Sequence, residues 1–381
     1  SSDYIQQTLR LAALLHDVGH APMSHSCEKF LPSYKQIVEK IKKERKPSLK
    51  EYLSKKASQR KKTDNVSHEV FSLLIIEAIL HDIYKENSDI KLKVDPQDIL
   101  SVLSPQISPN KDSELLTHGV HKLCHELVSG DIDVDRFDYL QRDSRECGVV
   151  YGLFDLDRIM DCLVFYYEKE RKSYHLGLKF SGLDAFENYL RARQSMYVQI
   201  YFHKTTVSCE AMLDFIRKKI PEWRLPAALS DYIKLDETNI QETMLAAAHK
   251  SIITEKEKQK LKDYIKNLFS ERKLWKTAYE VIENSKEISE QEDLKLVMKL
   301  LEENKIDYCH ISSKSSLIKL KNGKNSSSSL NQLKLIKKDS KQFTKVVSFE
   351  DYSLMSLASN SFTQIDRIYV AENALKAVRK V

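Results

Sequence analysis

Leu14-Leu15-His16-Asp17-Val18-Gly19-His20-Ala21-Pro22-Met23-Ser24-His25-Ser26-Cys27-Glu28 gathers three histidines and two carboxylates, in a chain with twelve histidines in all. Upstream, Ile5, Leu9, Ala12, Ala13 and Leu15 recur at helical spacing, and the pattern stops near Gly19 and Pro22. The spacing predicts a helix that delivers His16 and Asp17 at its C-terminal end. His16 and His20 are four apart, so they share a face for as long as that helix lasts. Imidazole beside carboxylate suits a divalent transition metal or Mg²⁺. The His-Asp dipeptide alone says nothing, since it recurs at His81-Asp82; the density of the whole cluster points to a site.

Two further stretches bear on the same chemistry. In residues 131–144, Asp131, Asp133, Asp135, Asp138 and Asp143 crowd together. Asp131 and Asp133 read as cap and solvent-facing residues, with Asp133 the N-cap of a helix over 134–146 and Gly148 just past its end. Asp135 falls in the first turn, where the helix dipole favours an anion and the carboxylate can reach a metal. Arg136, Tyr139 and Asp143 then follow on one face, which suits either a ligand-binding stripe or a surface salt-bridge row. In residues 187–206, Arg193, Tyr197 and Tyr201 stack along one helix face and Lys204 lies three residues on. Tyrosines at that spacing are commonly core or interface, and interleaved with Arg and Lys they also suit a phosphate and a sugar or base.

A chain of 381 residues has room for roughly two domains of about 150 residues. Apolar residues make up 41% and charged residues 30%, the balance of an ordinary soluble globular protein. No apolar run is long enough to span a bilayer, so no membrane association is expected. The residues from Ser1 to Tyr4 lack the features of a signal peptide and read as a boundary of the expressed segment. Six scattered cysteines without a Cys-x-x-Cys pair argue against a disulfide scaffold and a cysteine zinc site, and fit a reducing, cytoplasmic setting. The net charge of +6 suits a polyanionic ligand but is thinly spread. None of the eight glycines begins a phosphate-cradling loop, so any phosphate must be held by side chains or a metal.

The fold expected is mainly α, with a smaller α+β region at the C-terminus. Helices are expected over 66–85, 113–128, 184–219 as one long rod, and 255–303. Residues 42–62 hold ten Lys or Arg against two Glu without a clean apolar stripe. They read as an exposed charged excursion, with contact to nucleic acid or another polyanion as the alternative. Ser and Asn cluster at 322–332, marking a loop, and short β-like runs occur near 333–336, 345–349 and 365–370. The expected division is a core over 1–220, a helical extension over 221–304 and a small α+β region over 305–381.

LLHDVGHAPMSH, the Ser67-His68-Glu69 triplet, IDVDRFDYLQRDS and the Arg193-to-Lys204 pattern occur in the order found in one family. On these motifs, over about residues 5–220, the chain resembles the HD-domain dNTP triphosphohydrolases and their bacterial phosphohydrolase relatives, a group that includes the mammalian SAM-and-HD-domain enzyme. The resemblance implies an HD-domain helical bundle with a divalent metal on His16, Asp17 and Asp135, the choice among Mg, Mn, Fe, Ni and Zn being open. It implies catalytic roles for His20, His25, Glu28 and His68. Triphosphate and deoxyribose contacts are implied for Arg136, Tyr139, Asp143, Arg193 and Tyr201, with Lys204 an added phosphate contact. Tyr197 joins the substrate face, at a position that is His in the mammalian member. The family's first metal-binding histidine precedes the HD pair by some forty residues and would fall before Ser1, in a segment expected upstream.

The function so implied is metal-dependent hydrolysis of a dNTP to deoxynucleoside and triphosphate, with a nucleotide activator and a homodimer or homotetramer as expectations of the same resemblance. Two alternatives stand beside it. One keeps the metal site and takes a nucleoside monophosphate, cyclic nucleotide or oligonucleotide; the other is a non-catalytic nucleotide- or nucleic-acid-binding module.

Overall fold

The computed structural model describes the chain except Ser1 and residues 42–46, 62–63, 88, 91–92, 131, 133, 170–171, 286–291, 317–332, 339–343, 350, 354–361 and 379–381. The cap roles of Asp131 and Asp133, the Ser/Asn loop at 322–332 and parts of the basic stretch therefore lie outside the described residues. Two compact units form. One takes Ser1–Asp135, Tyr166–His175 and Ile220–Lys250, and the other Arg136–Phe165, Leu176–Lys219 and Ser251–Val381.

The first unit opens with α1 (Ser2–Leu15), a 3₁₀ turn (Ser24–Phe30), α2 (Tyr34–Ile41), α3 (Pro47–Gln59), α4 (His68–Glu86), α5 (Pro96–Leu103), α6 (Glu114–Thr117) and α7 (His121–Ser129). Helix α8 (Val134–Glu146) begins in this unit and runs on into the second. There follow α9 (Leu156–Cys162), β1 (Leu163–Glu168), β2 (Ser173–Lys179), α10 (Leu183–Met196) and α11 (Lys204–Lys219). Helices α12 (Leu229–Tyr232) and α13 (Glu237–Lys250) return to the first unit. The rest is α14 (Glu255–Lys266), β3 (Lys276–Ser285), α15 (Glu292–Glu303), β4 (Tyr308–Ser316), β5 (Lys334–Lys338), β6 (Thr344–Ser348), β7 (Phe362–Val370) and α16 (Glu372–Val378).

Helix α4 is the hub of the first unit because its sequence is apolar on nearly every side. Val70, Phe71, Leu73, Leu74, Ile75, Ile76 and Leu80 are all buried. Each such side chain withdrawn from water contributes about 1.5–3 kcal/mol. Helix α5 packs on both α4 and α1. Its start is fixed by Pro96 in the first turn and by the Asp95 carboxylate accepting from the Gln97 amide. The end of α8 is closed by Gly148 at φ +66, with Val149 N–H on the Ser144 carbonyl and Gly148 N–H on that of Arg145, the paired bonds of a Schellman ending.

Four expectations are corrected. Residues 113–128 form two short helices, α6 and α7, separated by the left-handed Gly119. The rod over 184–219 is broken by a π turn at Tyr197–Tyr201, with Phe202 N–H reaching back to the Tyr197 carbonyl, before α11 restarts at Lys204. In the stretch 255–303, β3 separates α14 from α15, because Thr277, Tyr279, Val281 and Ile282 favour a pleated surface. The basic stretch contains α3, whose Leu49 and Leu53 are fully buried, so it is anchored rather than a free excursion.

The C-terminal β-like runs appear as β5, β6 and β7. Strand β5 pairs parallel to β2 and antiparallel to β6, in a sheet ordered β1-β2-β5-β6. Strand β7 lies between β3 and β4, antiparallel to both, and Lys276 and Tyr308 both sit opposite Val370. Leu294 and Leu301 of α15 cover Ile368 and Val370 of this second sheet. The architecture is mainly α with a smaller α+β part, as the sequence implied.

Candidate metal and phosphate site

Helix α1 ends at Leu15, so His16 and Asp17 sit in the turn that follows rather than on the helix. The turn tightens through Val18 N–H on Leu15 O and His20 N–H on Asp17 O. It is pressed onto α4 at Gly19. A Cβ there would stand 2.1 Å from the Ser72 amide nitrogen and 2.4 Å from the His68 carbonyl oxygen, so only glycine fits. Gly19 N–H donates to Ser72 Oγ at 3.0 Å, and Tyr232 Oη donates to the Gly19 carbonyl at 2.8 Å. This contact brings His68, at the start of α4, to the HD turn.

The ligand geometry follows. His16 Nδ1 is 2.9 Å from the Ala13 carbonyl, which accepts its hydrogen and fixes the tautomer. His16 Nε2 is buried without a hydrogen bond. It faces Asp17 Oδ2 at 3.4 Å and Asp135 Oδ1 at 3.5 Å, too long for good hydrogen bonds. One imidazole lone pair converging with two carboxylates is a donor set that fits a divalent cation, and the carbonyl behind Nδ1 is the usual support of a ligating histidine. Without a cation, the adjacent Asp135 carboxylate, against the opposing effect of burial, pushes the His16 pKa up to about 9.

Asp17 also joins a second group. Its Oδ1 lies 3.6 Å from His68 Nε2 and its Oδ2 lies 3.7 Å from His20 Nε2. His20 and His68 stack with ring centroids 3.7 Å apart. Glu28 Oε1 accepts from His25 Nδ1 at 3.1 Å and also from His68 Nδ1. Donor atoms of His20, His25, Glu28 and His68 all lie within 4.8 Å of one another, a second arrangement able to hold a cation. Burial opposes the charge on His68, but hydrogen bonds to Asp17 and Glu28 raise its pKa to about 9. Burial and the neighbouring His68 lower that of His20 to about 4. Burial alone would raise Glu28, yet its bonds to His25 and His68 hold it far below the usual carboxylate range. One ring is thus kept protonated and its stacked neighbour neutral, while His25 is exposed at 74% of its side-chain surface.

In the second unit, Tyr201 Oη donates to Asp143 Oδ2 at 2.7 Å, and the Tyr139 and Tyr197 hydroxyls meet at 3.3 Å. The Arg193 guanidinium lies 5.3 Å from the centre of the Tyr197 ring. Burial first, then the Tyr197 neighbour, raises the Tyr139 hydroxyl well above its usual range, and Arg136 and Arg193 oppose that rise. The α8 stripe and the π turn are therefore brought together. A surface ion pair on the same helix, Asp138 with Arg142 at 2.6 Å on exposed positions, involves other residues than the Arg136, Tyr139 and Asp143 stripe. Lys204 is exposed at the start of α11. Reasoning from sequence missed Gly19, Ser72, Tyr232 and the double role of Glu28; a glycine inside a histidine-rich turn was the available signal for the first.

No family model matches the chain. It is 30% identical over 250 residues to the uncharacterized protein YwfO of Bacillus subtilis, a match covering 60% of this chain and 45% of that protein. A protein of Acanthamoeba polyphaga mimivirus named for an HD domain is 26% identical over 62% of this chain and 44% of its own length. The mouse deoxynucleoside triphosphate triphosphohydrolase SAMHD1 is 25% identical over 54% of this chain and 30% of its own length. The chain is similar to HD-domain proteins. A hypothetical protein from Aquifex aeolicus shares the fold at a TM-score of 0.61, with 21% identity over 98% of this chain and 79% of that one. So does a phosphohydrolase from Bacteroides thetaiotaomicron, at 0.56, with 22% identity over 96% and 80%. The sequence matches make the chain similar to proteins named for the HD domain and for dNTP hydrolysis, and the two solved structures show a shared fold. The matches span less than half the length of the curated sequence relatives. No helix among the described residues is long and apolar enough to cross a membrane.

Proposed function

We propose that the chain is a metal-dependent HD phosphohydrolase and that its substrate is a deoxynucleoside triphosphate, released as deoxynucleoside and triphosphate. The observation that carries this reading is His16 Nε2, without a hydrogen bond and facing the Asp17 and Asp135 carboxylates, with Nδ1 committed to Ala13. His16, Asp17 and Asp135 would hold the cation. A divalent cation bound there supplies Lewis-acid neutralisation of charge developing on phosphoryl oxygens.

The residues of the chain do the rest. Helix α8 carries Asp135 and, directly after it, Arg136, Tyr139 and Asp143. Arg136 and Arg193 pair with phosphate oxygens through planar guanidinium forks, and Lys204 adds a point charge. Asp143, already accepting from Tyr201, accepts from a sugar hydroxyl. His25, held by Glu28, moves a proton at the reacting phosphate, and His68 stays cationic between Asp17 and Glu28. A nucleotide activator, a homo-oligomer and a cytoplasmic setting belong to the same proposal.

Incubation of the full-length protein with each dNTP and NTP in Mg²⁺ or Mn²⁺, with products resolved by ion exchange, tests it. Tripolyphosphate together with the nucleoside supports the reading. Orthophosphate supports the alternative of a different phosphohydrolase, and tight binding without turnover in any metal supports a binding module.

A further inference from the structure

Within the first unit, against Glu28, lies a cavity of about 480 Å³. Its size falls in the range of small-molecule sites, roughly 300–1,000 Å³. The wall holds Tyr34 and Lys29 on one side and Tyr52, Lys56 and Arg60 of α3 on the other. These α3 residues come from the basic stretch that the hydrolase reading leaves without a role.

Three features of that wall call for an anion. Lys56 and Arg60 are four apart on α3 and line the same cavity, a like-charge spacing that destabilises a helix. Among the described residues neither makes an ion pair within 4 Å. Burial, and then the charge of Arg60, lower the Lys56 pKa, against the opposing pull of Glu69, which also lines the cavity. The other carboxylate on the wall, Glu28, is already engaged by His25 and His68. Lys56 is half-buried and Arg60 exposed on the same wall, and a phosphate bound by both would offset their repulsion and the burial of Lys56.

The wall also has an aromatic side. Tyr34 is buried and Tyr52 half-buried, and burial raises both hydroxyls. The Lys56 ammonium stands 5.7 Å from the centre of the Tyr52 ring. Leu49 and Leu53, at 0% and 1% exposure, pin α3 to the unit, so this face is held in place before any ligand arrives. Rings interleaved with cations bind the flat and charged parts of a nucleotide together.

We propose that this cavity, which meets the histidine cluster at Glu28 but holds its ligand with other residues, is a second ligand site for a nucleoside phosphate, either free or at the phosphorylated end of an oligonucleotide. Lys56 and Arg60 take the phosphate, and Tyr52 packs on the base or sugar. The site does not depend on the proposed hydrolysis, since binding without a cation reports on it and turnover with a cation reports on the other.

Calorimetric titrations of the full chain in EDTA test it, with dATP, dAMP, deoxyadenosine, tripolyphosphate and a short 5′-phosphorylated oligothymidylate as probes. Wild-type protein binds dATP and dAMP more tightly than deoxyadenosine, and more weakly as salt rises. The K56E/R60E variant loses about tenfold or more of that affinity, corresponding to ~1.4 kcal/mol per tenfold. K56Q/R60Q falls between, with an unchanged Tm in both. Tighter binding of the oligonucleotide assigns the site to a chain end, and equal or tighter binding of dATP assigns it to free nucleotide. Nucleotide binding unaffected by charge reversal, or tripolyphosphate bound as tightly as dATP, overturns the proposal.

Discussion

Asp17 touches three imidazoles at once: His16 and His20 through one oxygen and His68 through the other. Its partners divide by charge, and this sets a pH response. In metal-free buffer, His16 and His68 have folded pKa values raised to about 9 from an ordinary 6.5. Their stabilising contribution is complete below about 6.5 and is lost as pH rises toward 9. His20, lowered to about 4, works at the other side, and its contribution is lost as pH falls from about 6.5 toward 4. The Tm of the EDTA-treated protein is therefore expected to peak near neutrality, with an alkaline fall that is shallower in His68→Gln. An equally steep fall in that variant would remove His68 from the network. Asp135→Asn, which deletes one charge facing His16 Nε2, is expected to leave the circular dichroism intact and lower metal affinity about tenfold or more, by analogy with ligand-support changes. Metal analysis after dialysis reads this, and undiminished metal content sinks Asp135 as a ligand. Glu28→Gln is expected to cost about 10²–10⁴ in kcat with little change in KM, the pattern of a group that positions a proton carrier. A pure KM effect contradicts that role.

Among the elements, the turn after α1 depends most on one missing side chain. Gly19→Ala drives a methyl into the backbone of α4 at Ser72 and His68. It is expected to cost about 1–3 kcal/mol or more of stability and to lower metal affinity, because the turn must retreat from His68. Urea unfolding and metal titration of the one variant measure both; a stable variant with an intact site would show that the contact is slack. This dependence was hidden in the sequence, because α4 approaches from fifty residues away and linear spacing cannot report it. What was legible were the local signals. The apolar period gave α1 and α4 within two residues, Gly148 marked the end of α8, and Asp135, far along the chain, lies beside His16 and Asp17. Missed were the features that tertiary context decides: the π turn that breaks 184–219, the strand β3 within a stretch of apparently helical residues, and the β1–β2 pair. Short apolar runs with mixed period are ambiguous between helix and strand until a partner strand is supplied.

At the scale of the whole chain, β7 is the central strand of the β3-β7-β4 sheet. Ile368 and Val370 are fully buried under α15, so Ile368→Ala is expected to cost about 2–5 kcal/mol, read as a lower urea midpoint at unchanged slope. A cost below about 1 kcal/mol would mean that α15 does not seal the sheet. The central position of β7 has a consequence for biosynthesis. Strands β3 and β4 leave the ribosome first, yet neither pairs with the other in the finished sheet. Each must wait as a bare, hydrogen-bond-hungry edge until Phe362–Val370 is translated and slides between them. A nascent chain stalled before that point holds both edges open at once, and the arrival of β7 closes the two of them in a single step.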